Sequence, residues 1–309
     1  MVKMTKTYGR HLMSLSLVIC YLALGTLLAS CASDEDNTPS LADRNVFIPA
    51  DDDQSPTAQL RRSFFQQTGS YLLFTDTLLT VENGRAIDGT LVSKTELLDV
   101  MGYSLPGDAA SDYEYEYIYI TDADARREAA RLVADYLVPR MGRALPYAFM
   151  LVNGITYEDY NGRLVTINKL LGLRAYVISM DNGAAQANPD NYFRQMVGDM
   201  VKDQIGRLST VDMQSFYQFS NDYYMQYKED FGLKPTRLDE KDVWKYGFFT
   251  DIYGEHFPYQ DDDLKAWLNA VLTYSREQFE TSYGSVPVML NKYDALRSII
   301  ENDLGFILD

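Results

Sequence analysis

Both cysteines of this chain, Cys20 and Cys31, fall within its first 31 residues. Everything downstream must therefore fold without a disulfide or a thiolate-held metal, and its stability has to come from packing alone. The means are present. Of the 309 residues 46% are hydrophobic, 13% aromatic and 23% charged, which excludes a disordered chain, a collagen or a coiled coil. Acidic side chains outnumber basic ones 44 to 28, a net charge of −16. Such a surface repels nucleic acid.

Residues 1–30 read as a leader rather than as part of the core. Lys3, Lys6 and Arg10 form a basic start, and an apolar run from Leu12 to Leu28 follows, broken only by Ser14, Ser16, Gly25 and Thr26. The run is short and interrupted for a membrane anchor. It ends on Leu28-Ala29-Ser30-Cys31, small residues before a cysteine, which closely resembles a bacterial lipobox. The resemblance implies cleavage between Ser30 and Cys31 and a lipid on the Cys31 thiol. Losing the leader leaves 279 residues, with 25 basic against 44 acidic side chains, a net charge of −19. Ser33-Asp34-Glu35-Asp36 resembles the surface-export signal of Bacteroidota lipoproteins, so the expected place is the outer membrane, facing the exterior; the same patch also reads as a solvated spacer. Residues 31–58, rich in Asp, Ser and Pro, are expected to form a flexible acidic tether, and residues 59–309 one folded domain.

Within that domain, the stretch from Gln59 to Leu79 starts with a helical pattern and passes through the strand-like Tyr71-Leu72-Leu73-Phe74. Residues 112–120 alternate strictly, with Tyr113, Tyr115, Tyr117 and Tyr119 on one face, which predicts a strand. Asp122 or Asp124 can cap a helix that runs to about Val138 and stops at Pro139. Tyr147 to Val152 predicts a buried strand, and two more are predicted at Arg163–Asn168 and Arg174–Met180. Asn188 and Pro189 then open the clearest helix in the chain, with Phe193, Met196, Val197, Met200, Val201, Ile205 and Leu208 recurring at steps of three and four. Further helices are predicted near Val211–Tyr227, Asp263–Tyr283 and Val288–Asn302.

Three segments, Tyr71 to Leu78, Leu145 to Val152 and the closing Leu304-Gly305-Phe306-Ile307-Leu308-Asp309, together with this order of elements, resemble the zinc-binding metallopeptidase lipoproteins of Bacteroidota. The resemblance covers residues 59–309 and implies a zincin-like α+β fold: a small mixed sheet with an edge strand over a long active-site-type helix, then a mostly helical C-terminal half. In that family the long helix carries His-Glu-x-x-His, whose two imidazoles share one helix face and bind zinc while the glutamate polarises water. Here the motif is degenerate. Gly198 and Lys202 stand at the histidine positions and Asp199 at the glutamate. Neither a glycine nor an ammonium ligates zinc, so no metal and no cofactor is expected.

Of the two histidines, His11 lies in the leader, which leaves His256, with Glu255 and Asp251 nearby, as a loop histidine. No Gly-x-Ser-x-Gly elbow and no glycine-rich phosphate loop occurs. Asp51-Asp52-Asp53 and Asp261-Asp262-Asp263 lack the spacing of a calcium loop and are expected to be solvated. Tyrosine is abundant: Tyr113 to Tyr119 on a strand, and Phe216, Tyr217, Tyr223, Tyr224 and Tyr227 on a helix, offer either core packing or flat faces for sugars. The sequence thus points to an inactive metallopeptidase homologue that binds a glycan, a peptide or a surface protein. The alternative is a hydrolase pairing Asp199 with Glu255 or Glu240.

Overall fold

Ser55 caps the first helix, α1 (Pro56–Thr68), by accepting the Ala58 amide, and Gly69 ends it in the left-handed conformation at φ 78°. The computed structural model describes residues 45–100, 113–236, 238–251 and 253–308. Cys31, Ser30 and the Ser33–Asp36 patch lie outside the described residues. The compact unit runs from Val46 to Asp309. Its start corrects the boundary drawn at residue 58: Phe47 is buried, its carbonyl accepts from Arg61, and α1 begins at Pro56, so residues 46–58 belong to the fold.

After α1 come β1 (Tyr71–Leu73), the hairpin strands β2 (Thr77–Arg85) and β3 (Leu91–Leu97), then β4 (Tyr115–Tyr119) and the helix α2 (Ala123–Leu132). Strands β5 (Ala148–Glu158), β6 (Leu164–Ile167), β7 (Lys169–Leu171) and β8 (Ala175–Ser179) follow. The main elements that follow are the helices α3 (Pro189–Ile205), α4 (Gln260–Thr273), α5 (Arg276–Tyr283) and α6 (Pro287–Ser298), with α3 and α4 separated by turns and short helical segments such as Gln214–Tyr217 and Glu240–Trp244. The class is therefore α+β, with a mixed sheet and a helical C-terminal half.

β5 is the spine of a six-stranded sheet. Its first half pairs in parallel with β1 on one edge and β8 on the other. Its second half pairs antiparallel with β4 and β6. Val152 is paired with both Tyr119 and Ser179, so β4 lies on the β1 edge and β6 on the β8 edge. β7 runs antiparallel along β8. Successive residues of β5 feed opposite cores: Phe149 and Leu151 face the helices, while Ala148, Met150 and Val152 face a second cluster with Phe47, Leu98 and Val100. That two-sided burial is why Ala148–Val152 is apolar at every position.

In β4 the half-buried Tyr115, Tyr117 and Tyr119 pack on the second cluster, and Glu116 and Ile118 are exposed, as is Glu114 just before the strand. These tyrosines are thus packing groups rather than an open platform. Asp122 caps α2 through the Ala125 amide, but the helix does not stop at Pro139. A π-helical turn over Val133–Leu137 widens the coil, and helical backbone continues over Val138–Met141. The wider turn accommodates a residue without an amide hydrogen.

Three helical expectations change. The 211–227 helix shrinks to the single turn Gln214–Tyr217, and Met225 takes a φ of 62°, which no helix allows. The 263–283 helix is two, because Ser275 and Gln278 form a capping box that starts α5 afresh. Leu208 lies beyond α3, whose buried stripe ends at Ile205. The hairpin β2–β3 is an element that the periodicity did not announce.

Candidate functional site

On α3, Asn188 accepts the Asn191 amide and Pro189 occupies the first turn, which fixes the register of every residue that follows. In that register Gly198 is buried, while Asp199 and Lys202 point to solvent, half-exposed and 3.7 Å apart. The three motif positions are therefore not one ligand set. Gly198 offers no donor atom, and the only carboxylate beside it is engaged with an ammonium. The residues do not fit the zinc that a His-Glu-x-x-His motif holds. Among the described residues, no group of three or more His, Cys, Asp or Glu is placed to hold a metal ion.

Gly198 instead forms part of the wall of a cleft of about 310 Å³. Val197, Val271 and Leu272 give it apolar surface, and the end of α4, the start of α5 and the C-terminal Ile307 and Leu308 close it. A Cβ built on Gly198 would reach the Leu272 side chain at 3.6 Å, an ordinary contact. The polar side carries Arg140 and Arg194: Asp190 binds Arg140 at 2.7 Å through one oxygen and Arg194 at 2.5 Å through the other. Both guanidiniums are thus held by the Asp190 carboxylate beside the cleft. Ser275 and Gln278 also line the cleft, where their side-chain oxygens accept each other's backbone amides in the capping box. The arrangement offers binding surface and no nucleophile activated by a base.

The remaining candidates are dispersed. The His256 ring stacks on Tyr253 at 4.6 Å, and its Nδ1 lies 2.9 Å from the Phe257 carbonyl. Glu255 is exposed, whereas Asp251 is buried. Asp251 accepts from Lys228 Nζ at 2.5 Å and from the Leu238 amide at 2.7 Å, so it is a structural anchor. Asp199 has Lys202 as its ion-pair partner, and the side chain of Glu240 lies outside the described residues. Asp51 to Asp53 are exposed, as expected.

Asp261 to Asp263 correct the solvated-loop reading. They form the first turn of α4, where carboxylates meet the positive end of the helix, and Asp263 is buried. Its Oδ2 accepts from Lys292 Nζ at 2.5 Å and from the Tyr224 hydroxyl at 2.6 Å. Lys292 Nζ also donates to Ser220 Oγ and the Gly247 carbonyl, and it lies 4.7 to 5.6 Å from the rings of Phe216, Tyr224, Phe248 and Trp267. Burial pushes the Lys292 ammonium down to about 8 against the pull of Asp263, and it pushes the Asp263 carboxyl up against the pull of Lys292. Burial and the Asp263 charge together raise Tyr224. The rings predicted on a 211–227 helix are thus partly the cage of a buried ion pair. Compared with family models, curated proteins and solved structures, the chain matches none.

Proposed function

We propose that this chain is a lipid-anchored outer-membrane protein, facing the exterior, whose zincin-like domain has lost its zinc ligands and acts by binding. The observation that carries the loss of hydrolysis is the α3 register: Gly198 turned inward without a side chain, Asp199 and Lys202 turned outward as an ion pair. The strand order supports the zincin-like reading, since an antiparallel edge strand, β7, precedes the parallel β8, and β8 leads into the long helix α3. The cleft beside Gly198, lined by Val197, Val271 and Leu272 on one side and by Arg140 and Arg194 on the other, is the surface offered to a ligand. The anchor rests on Leu28-Ala29-Ser30-Cys31.

Two measurements test the reading. Metal analysis of protein purified without a chelator or a polyhistidine tag should find well below one zinc per chain, and chelators should leave its melting temperature unchanged. Stoichiometric zinc, or a chelator-sensitive peptidase activity lost in Asp199→Ala, would restore a metallopeptidase. Separately, Cys31→Ala should abolish labelling by a radioactive fatty acid and leave the leader attached. Normal labelling of that variant would remove the anchor.

A further inference from the structure

Away from the α3 cleft, the segments Met225–Lys228 and Glu255–Pro258 run side by side. The Lys228 amide donates to the Glu255 carbonyl at 2.9 Å and the Phe257 amide to the Gln226 carbonyl at 3.1 Å, so Tyr227 stands directly opposite His256 in antiparallel pairing. Residues paired in this way project to the same side. Tyr227 is 61% exposed. The half-buried His256 ring is stacked on Tyr253, and Tyr259, 46% exposed, meets both edge-on with centroids at 5.5 and 5.9 Å. The Tyr253 hydroxyl is fixed on Asp262 Oδ2 at 2.7 Å. Tyr253, His256 and Tyr259 thus brace one another, and the backbone bridge sets Tyr227 beside them. The neighbouring Met225, also exposed, keeps a left-handed φ of 62°, a conformation costly for a methionine.

Isolated exposed rings are ordinary on a protein surface, but a pre-ordered group of them marks a binding surface. Its surroundings indicate what binds. Exposed Glu229, Asp230, Glu255 and Asp261 flank the rings in sequence, with Asp262 beside them. The cations of the same segments are already engaged, Lys228 with Asp251 and Lys265 with Asp262. A ring surface in negative surroundings attracts a cation, and a guanidinium lies flat on tyrosine better than an ammonium does. A neutral sugar would stack on the same rings and gain nothing from the net charge.

We propose that Tyr227, Tyr259, Tyr253 and His256 form a docking surface for a basic peptide segment of a partner protein, with arginine side chains laid on the exposed tyrosines and the flanking carboxylates meeting their charge. The surface is separate from the α3 cleft and holds whether or not that cleft binds anything.

The test is fluorescence anisotropy on the full chain in detergent, with a labelled arginine nonapeptide as probe, a lysine nonapeptide of equal length as comparison and chitohexaose as the sugar. The arginine peptide should bind more tightly than the lysine peptide. Tyr227→Ala with Tyr259→Ala should weaken it about tenfold, while Tyr227→Phe with Tyr259→Phe keeps binding near the parent. Glu255→Gln with Asp261→Asn, which leaves every ring in place, should also weaken it and serves if the alanine variant fails to fold. Equal binding of the two peptides, or undiminished binding by the alanine or the glutamine and asparagine variant, would reduce the effect to general attraction to an acidic chain and overturn the proposal. Chitohexaose binding lost in the alanine variant, with no arginine peptide bound, would overturn it in favour of sugars.

Discussion

Asp263→Ala is expected to lower the melting temperature by on the order of 10 °C. The substitution leaves Lys292 Nζ fully buried beneath four aromatic rings, with Ser220 Oγ, the Tyr224 hydroxyl and the Gly247 carbonyl as its remaining partners. None of these is charged. Removing one member of a buried ion pair costs about 3–5 kcal/mol, because the other is left without compensation, and each kcal/mol moves the transition of a domain this size by roughly 2–4 °C. The rings soften the loss through their attraction for the cation but cannot replace a full negative charge. Lys292→Met combined with Asp263→Leu should recover most of the stability, since both buried charges then vanish together. Thermal and urea denaturation of the two variants decide the matter. An Asp263→Ala protein that melts with the parent would mean that the pair is not buried as described.

That ion pair also shows where sequence reading fell short. Lys292 and Asp263 occupy the apolar stripes of their own helices: Met289, Tyr293 and Leu296 flank the first, and Trp267 and Ala270 follow the second. A charged residue in register with buried neighbours was the available signal, and composition hid it among many solvated charges. The aromatic run 216–227 misled for a related reason. Rings spaced three and four apart suit a helix, yet here turns deliver Phe216 and Tyr224 to the Lys292 ammonium, and no local periodicity encodes that destination. β3 escaped notice because every one of its residues is exposed, so it shows no alternation of buried and open positions. Two glycine pairs were the available hints, Asn83-Gly84 at the irregularity in β2 and Asp88-Gly89 at the turn, with Gly89 at φ 84°. By contrast α3 was legible, since one 3.6-residue burial period runs through it, and so was the first half of β5, Ala148–Val152, buried on both faces; the extension of β5 to Glu158, beyond the predicted end at Val152, was not, because its burial falls away there. The candidate site was legible only as an absence of ligands. The cleft beside Gly198 depends on Arg140, Leu272 and Leu308 arriving from distant parts of the chain.

The burial of α3 is tested most severely at Val201. This side chain is fully buried in the same cluster as Phe193, Met196, Val197, Met200 and Ile205. Val201→Asp would place a carboxylate among apolar groups, where it either loses its hydration or pulls water and a proton into the core. Either route is expected to cost about 4 kcal/mol or more, enough to unfold a marginally stable domain. Asp199→Ala, two residues away on the exposed face, removes only a solvated ion pair and should change stability by less than about 1 kcal/mol. The contrast separates a wrong face from a generally fragile helix. If Val201→Asp folds and melts like the parent while Asp199→Ala is destabilised, the helix is rotated relative to its description. Gly198 would then no longer face inward, and Asp199 and Lys202 would turn towards the cleft, which would give this helix a carboxylate at the site.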